Sequence, residues 1–342
     1  MLPWRAELAG RFEESSFESE LLRGNPLGDP HVRPVLVYLP PGYDDAGEQR
    51  YPSIYVALGY TGHLGMSFNR TPFRQPYPEL LDALFAAGDV PPAIVVFVDA
   101  WTKYGGSQYL DSPGTGQYHS YLCDELVPWV DAKYRTIADR DHRAITGKSS
   151  GGYAAMVTPL LRPDVFGALA THAGDAAFEV CYRPEFPVRA KQLRDRYDGS
   201  YAKFFADAEE RAGRTTDEDL HLMEIYGYAS AYSAEPDGTV LLPFDDLGEV
   251  IPAVWDRWLA MDPVAMLRQP QYADALRSLR AVWIDAGRQD EYHLDLGATA
   301  FHRAAQDLGG PQFHFELFEG THGGIEYRYP MAVRWLCEQL TP

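Results

Sequence analysis

Cysteine is scarce: Cys123, Cys181 and Cys337 are the only three in 342 residues. Thiols so few and so scattered build neither a disulfide framework nor a zinc site, which excludes a stapled extracellular scaffold and fits a reducing compartment. Positive charge is scarce too, with 30 Lys and Arg against 49 Asp and Glu and a formal net charge of −19. The basic footprint of a nucleic-acid binder is therefore missing, and an acidic surface gives anionic substrates no long-range steering. Long hydrophobic runs are lacking as well, since nowhere do about eighteen uncharged apolar residues follow one another. The first residues, Met1 to Glu7, show no basic region followed by a continuous apolar stretch. The expectation is a soluble, cytoplasmic protein with no nucleic-acid and no membrane partner. A homo-oligomer is compatible with that reading. Internal repeats and low-complexity tracts are absent.

What is present is a full set of core-building segments, with 46% hydrophobic residues, enough for one large α/β domain spanning residues 1–342. Residues 1–30 are polar and offer at most an edge strand. Residues 35–40 are β-rich and stop at Pro40-Pro41-Gly42, a turn signal. A second apolar strand, residues 51–58, runs into Gly59-Tyr60-Thr61-Gly62. A helix over 78–87, a buried strand over 93–98 and a helix over about 118–134 follow. Beyond residue 144 come a strand, a small-residue helix and a short strand over 166–172. The pattern then breaks for about a hundred residues. Residues 176–275 are aromatic-rich, with helical stretches at 203–212 and 252–261, and read as a lid-like insertion. The alternation resumes with a strand over 280–286, a helix to about 308, a strand over 313–318 and a closing helix over 329–340. Strands alternating with helices predict a mostly parallel sheet covered on both faces.

The chain is organised around Ala144-Ile145-Thr146-Gly147-Lys148-Ser149-Ser150-Gly151-Gly152, which contains Gly-x-Ser-x-Gly. In a nucleophile elbow the serine sits on a sharp turn between strand and helix, and its flanking positions must be glycines to avoid clashes. Gly147 and Gly151 meet that demand, so Ser149 is the candidate nucleophile. A phosphate-binding loop, the competing reading of Gly147-Lys148-Ser149, needs a glycine where His142 stands. The helix after the elbow aims the Ser150 N–H at the point where an oxyanion would form. A second donor is expected from the Gly59-Tyr60-Thr61 turn, through the Tyr60 N–H.

In this architecture the acid and the base follow the nucleophile in chain order. His322 lies in a glycine-flanked loop after the last strand, the placement a general base needs, whereas His302 and His314 fall inside a helix and a strand. His293 is a further competitor. Asp290 lies in the loop after the 280–286 strand, where a carboxylate can orient the His322 ring, with Asp285, Glu291 and Asp295 as rivals. Asp285 falls within the apolar strand and is expected only to satisfy neighbouring backbone donors. The loop Trp101 to Tyr109 begins at a strand's C-terminal end, where α/β sheets place ligands. Trp101, Tyr104, Gln108 and Tyr109 are thus expected to contact substrate, with Trp255, Trp258 or nearby tyrosines walling the site from the insertion.

The ordered set Val37-Tyr38-Leu39-Pro40-Pro41-Gly42-Tyr43, Gly105-Gly106-Ser107-Gln108-Tyr109, Gly147-Lys148-Ser149-Ser150-Gly151-Gly152, Gly287-Arg288-Gln289-Asp290 and Gly320-Thr321-His322 resembles the putative-esterase family of α/β-hydrolases. That family includes enterochelin esterases, feruloyl esterases, S-formylglutathione hydrolases and mycolyltransferases of the antigen 85 type. The resemblance covers roughly residues 33–175 and 279–340, and it implies an α/β-hydrolase fold with Ser149, Asp290 and His322 on the family's triad positions. Leu58-Gly59 replaces the usual His-Gly at the oxyanion turn, and the 176–275 insertion is longer than the common form. The expected function is hydrolysis of a small carboxylic ester through an acyl-enzyme, with no cofactor and no metal. Acyl transfer from the same intermediate is one alternative, and a catalytically silent hydrolase fold that binds a ligand is the other.

Overall fold

The nearly uninterrupted apolar runs form the middle of one eight-stranded sheet in the computed structural model, which describes residues 7–211 and 213–341. Residues 1–6 and Ala212, the expected end of the 203–212 helix, lie outside the described residues. The strands are β1 (Arg11–Glu18), β2 (Val32–Leu39), β3 (Ser53–Ala57), β4 (Ile94–Val98), β5 (Arg143–Lys148), β6 (Ala168–His172), β7 (Ala281–Gly287) and β8 (Gln312–Phe318). Their order is β1-β2-β4-β3-β5-β6-β7-β8. From β4 to β8 every pairing is parallel, while β1 and β2 run antiparallel at one edge. The fold is that of an α/β-hydrolase.

Strands buried on both faces need covers on both, and the helices supply them. On one face lie α1 (Tyr77–Ala86), which buries Leu81, Leu84 and Phe85, and the closing helix Arg328–Leu340, which buries Val333, Leu336 and Leu340. The other face carries the continuous run Tyr118–Ser120, the π-helical Tyr121–Leu126 and α2 (Val127–Lys133), then α3 (Ser150–Leu161). Between β6 and β7 the chain builds α4 (Phe186–Tyr197), α5 (Tyr201–Glu210), α6 (Asp217–Tyr232) and α7 (Pro252–Leu259). Helix α8 (Leu294–Leu308) joins β7 to β8, and the closing helix is α9.

Side chains alternate along a strand, so residues in register share a face. Val56, Thr146, Ala170 and Trp283 form one such row. Two residues further toward the carboxyl edge the same face carries Lys148, His172, Asp285 and Glu316. A polar row thus ends an apolar face.

Candidate active site

At the end of β5 the chain turns through Ser149, whose backbone has φ 58° and ψ −127°. That left-handed position is costly for a residue with a Cβ, about 1–3 kcal/mol, and persists only where the surroundings impose it. The Ser149 N–H donates to the carbonyl oxygens of His172 (3.0 Å) and Ala173 (3.1 Å). Gly147 and Gly151 make the turn sterically possible. A Cβ on Gly147 would overlap the Gly151 carbonyl, and one on Gly151 would overlap the Ala57 carbonyl of the neighbouring strand. Both obstacles are backbone and cannot rotate away. Gly151→Ala should therefore cost at least about 1–3 kcal/mol in urea denaturation, with activity falling alongside because the elbow itself must move; unchanged stability would contradict this packing.

His322 and Asp290 are brought together by the ends of β7 and β8. A Cβ on Gly287 would overlap Gly320, so the two loops touch backbone to backbone, and Arg288 and Gln289 N–H groups donate to Phe318 (2.8 Å) and Gly320 (2.9 Å) carbonyls. His322 Nδ1 then lies 2.9 Å from Asp290 Oδ2, with the Asp290 side chain fully buried. Asp290 Oδ1 is held by the N–H of Tyr292 (2.9 Å) and Leu294 (3.4 Å). The His322 N–H donates to Glu291 (2.9 Å), and the Tyr292 ring stands edge-on to the imidazole at 4.9 Å. With Nδ1 facing a carboxylate, Nε2 is the ring nitrogen left without that partner. Among the described residues Ser149 Oγ has no hydrogen-bond partner, and Ser149 and His322 border the same cavity of about 320 Å³.

Tyr60 and Gly59 border that cavity too, and a Cβ on Gly59 would stand 3.7 Å from Ser149 Cβ. Ser150 opens α3, so its N–H has no acceptor inside the helix. The Trp101 to Tyr109 loop, expected at the substrate, instead braces this turn. Tyr109 Oη accepts from the Leu58 N–H (2.6 Å), the Gly106 N–H donates to the Tyr60 carbonyl (2.8 Å), and the Tyr60 hydroxyl donates to the Tyr104 carbonyl. Gln108 is wholly buried and donates to Tyr232 Oη (2.8 Å). Trp101 packs edge-on against His63. None of Trp101, Tyr104, Gln108 and Tyr109 lines the cavity. A turn followed by open space needs support from behind, and the aromatic loop provides it.

The segment between β6 and β7 reaches the cavity through Tyr182, Glu185, His221, Glu224, Ile225 and Tyr228. The tyrosines expected from this segment are there, but Trp255 and Trp258 are not. Their indole N–H groups donate to Glu179 and Ser233, both at 2.9 Å, and their rings pack with Phe186 in the segment's own core. Helix α6 sits directly against the Gly59-Tyr60-Thr61 turn, because a Cβ on Gly227 would meet the Tyr104 carbonyl at 2.7 Å and the Tyr60 ring at 2.9 Å.

Asp175, after β6, is 2% exposed and accepts from Tyr182 Oη (2.7 Å) and Ser150 Oγ (3.3 Å). Burial pushes its carboxyl from the ordinary 3.8 up to about 6, against hydrogen bonding from Tyr182, and the Glu224 charge adds to the rise. Burial also pushes the Lys148 ammonium down, against the opposing pull of Glu326, Asp290, Glu291 and Asp175. A carboxyl whose pKa is raised by folding binds its proton more tightly in the native state, so it lowers stability as pH rises from about 4 through about 6. Asp175→Asn should remove that slope. Relative to the parent, the variant should gain on the order of 3 kcal/mol between pH 4 and pH 7.5, read by denaturant titration at both pH values; a parallel pH dependence in the two proteins would contradict it.

Asp285 does not serve backbone donors, as strand placement suggested, but side chains. His172 Nδ1 is 2.6 Å from Oδ1, while Trp283 Nε1 (2.9 Å) and Arg328 Nε (3.0 Å) donate to Oδ2. Burial alone would raise this carboxyl, yet His172, Trp283 and Arg328 outweigh it and hold it low. Two carboxylate–histidine pairs thus lie at the carboxyl edge, and Asp290 is the carboxylate bonded to His322. Among the described residues no group of three or more His, Cys, Asp or Glu side chains is placed to hold a metal ion. No helix among them is long and apolar enough to cross a membrane.

The family model described as putative esterase matches residues 30–323. The chain belongs to the putative-esterase family. A relative in Xylanibacter ruminicola named endo-1,4-beta-xylanase/feruloyl esterase is 32% identical over 137 residues, 38% of this chain and 18% of that protein. The matched stretches cover less than a third of the length of the curated relatives. Among solved structures, a ferulic acid esterase superposes over 98% of this chain and all of its own, with a TM-score of 0.63 and 18% identity. An S-formylglutathione hydrolase from Agrobacterium tumefaciens superposes over 98% of both chains, with a TM-score of 0.59 and 17% identity. At such identities the superpositions establish the esterase-family fold, and the chemistry rests on this chain's own residues.

Several cavity residues escaped the sequence reading. Asp175 belongs to a segment without strand alternation, and the expectation of tyrosines from that segment singled out neither Tyr182 nor Tyr228. His172 lies in an apolar run where nothing local singles it out. A usable signal did exist for α6: Thr216 and Asp219 form a reciprocal capping box, the pattern that marks a helix start.

Proposed function

We propose that this protein hydrolyses small carboxylic esters through an acyl-enzyme on Ser149. The observation that carries the reading is the His322–Asp290 hydrogen bond of 2.9 Å beside a cavity that Ser149 also borders. His322 Nε2 takes the Ser149 proton as Oγ attacks the ester carbonyl, and Asp290 stabilises the imidazolium that results. The backbone N–H groups of Tyr60 and Ser150 meet the charge that develops on the carbonyl oxygen. Collapse of the tetrahedral intermediate breaks the ester C–O bond, and His322 passes its proton to the departing alcohol. Water, deprotonated by the same imidazole, then attacks the acyl-enzyme and releases the acid.

The segment between β6 and β7 acts as a lid that closes the cavity over Ser149. Its carboxylates and Asp175 disfavour anionic substrates, whereas its tyrosines and Tyr292 offer walls to uncharged aryl or alkyl groups. Two of the three matches described above carry feruloyl or ferulic acid esterase in their names, so aryl esters head the panel to be tried. Hydrolysis of p-nitrophenyl and methyl aryl esters is expected, with kcat/KM for a neutral acyl group about tenfold or more above that for a succinyl group of like size. No turnover across the panel would remove the esterase reading, and a preference for the succinyl ester would remove the reading of the cavity's charge.

A further inference from the structure

His322 sits in the run Gly320-Thr321-His322-Gly323-Gly324, where three glycines in five residues leave the backbone lightly restrained. Packing does not make up for that. Gly323 is exposed, a Cβ on it would meet nothing within 4 Å, and Gly324 lies against the guanidinium of Arg74, a side chain that is itself exposed. Among the described residues the backbone from Thr321 to Gly324 makes a single hydrogen bond, in which the His322 N–H donates to Glu291 Oε2 at 2.9 Å. The bond from Nδ1 to Asp290 fixes one point of the side chain, and one point leaves the residue free to pivot. Glu291 fixes a second. Both grips come from one anchored turn, since Asp290 and Glu291 are consecutive, the Asp290 N–H donates to the Gly287 carbonyl (3.1 Å), and Asp290 Oδ1 accepts from Tyr292 and Leu294.

An exposed carboxylate that accepts from an amide trades that bond against water, so its net contribution to stability is small. Its contribution to placement is not. We propose that Glu291 is a positioning residue, holding the backbone at His322 so that Nε2 keeps its aim on Ser149 while Asp290 holds the ring. Glu291 does not border the cavity, so its route to the reaction is through His322. The effect on rate rests on the esterase reading, whereas the tether is a property of the loop and fails separately. A carboxylate accepts about twice as strongly as a neutral oxygen, but the amide oxygen of a glutamine can reach the same N–H. Glutamine should therefore keep most of what alanine loses.

The test compares Glu291→Ala and Glu291→Gln with the parent on an ester that the parent hydrolyses, with rates expressed per folded molecule. In Glu291→Ala kcat should fall by about ten- to a hundredfold, the scale of a misplaced catalytic group, while KM stays within about twofold because no substrate contact is lost. Glu291→Gln should recover most of that loss. Thermal midpoints of both variants should stay close to the parent's, which separates placement from a merely structural role. Amide exchange read by NMR gives the second measurement. Corrected for sequence, the His322 amide of the parent and of Glu291→Gln should exchange more slowly than that of Gly323, which has no partner, and in Glu291→Ala the two should exchange alike. A kcat loss outside that range, a glutamine variant as slow as the alanine one, or a lowered midpoint with kcat unchanged would overturn the proposal. If the parent turns over no ester the esterase reading falls, and amide exchange alone decides the tether: a His322 amide as fast in the parent as in Glu291→Ala would overturn it.

Discussion

Ser149→Ala is expected to lower kcat for any ester this protein turns over by about 10⁶-fold, as removal of the nucleophile does where the triad acts as a unit. The fold should survive. Ser149 Oγ has no partner among the described residues, and the turn is set by the Ser149 N–H and by the two flanking glycines, all of which alanine preserves. Stability within about 0.5 kcal/mol of the parent is the corresponding result in denaturant titration. A residual rate above that of water should remain, because Tyr60 and Ser150 can still polarise a bound carbonyl. Retention of more than a small fraction of activity would place the nucleophile elsewhere, and Ser150 is the neighbour to inspect.

The second large effect separates the two carboxylates at the edge of the sheet. Asp290→Asn should cost about 10⁴-fold in turnover, since asparagine leaves the wrong tautomer of His322 available. Its Oδ1 can still accept from Tyr292 and Leu294, so little stability is lost. Asp285→Asn is expected to do the opposite. It leaves Arg328 without its buried carboxylate and His172 without its anchor, a loss of about 3–5 kcal/mol for a broken buried pair. Because folding holds the Asp285 carboxyl low, the stability it provides is present above the ordinary carboxylate range and is lost as pH falls below that range through the lowered value. Turnover per folded molecule should fall far less than in Asp290→Asn. Thermal midpoints and active-site-normalised rates for both variants, measured at pH 7.5, decide the matter, and the reverse pattern would assign the orienting role to Asp285.

How much of this was legible in the sequence depends on how local each signal is. The elbow could be read because its glycines answer a steric demand within five residues, and the backbone overlaps at Gly147 and Gly151 are that demand seen in space. The central strands could be read because burial on both faces writes an apolar run. By contrast, β1 has the sequence Arg-Phe-Glu-Glu-Ser-Ser-Phe-Glu and is held as a strand by its eight-residue register with β2, from Arg11 opposite Leu39 to Glu18 opposite Val32, information that lies outside the strand itself. Asp290 and Asp285 stand five residues apart, and only the backbone contact of Gly287 with Gly320 decides which meets His322. His172 was invisible for the same reason, since its importance comes from register beside Asp285 across two strands. The Trp101 to Tyr109 loop shows the limit from the other side. A composition of Trp, Tyr, Gly and Gln at the end of a strand suits a ligand site and a buttress equally well, and hydrogen bonds to Leu58 and Tyr60 made it a buttress.

The central claim is that Ser149 is a nucleophile activated by His322, and covalent trapping tests it most directly. Treatment of the folded protein with a fluorophosphonate, followed by peptide mapping with mass spectrometry, should place one adduct on Ser149. The adduct should be absent from Ser149→Ala, and it should form far more slowly in His322→Ala, which lacks the base that takes the hydroxyl proton. No adduct on folded protein, or an adduct formed on Ser150 at an undiminished rate in Ser149→Ala, would contradict the account.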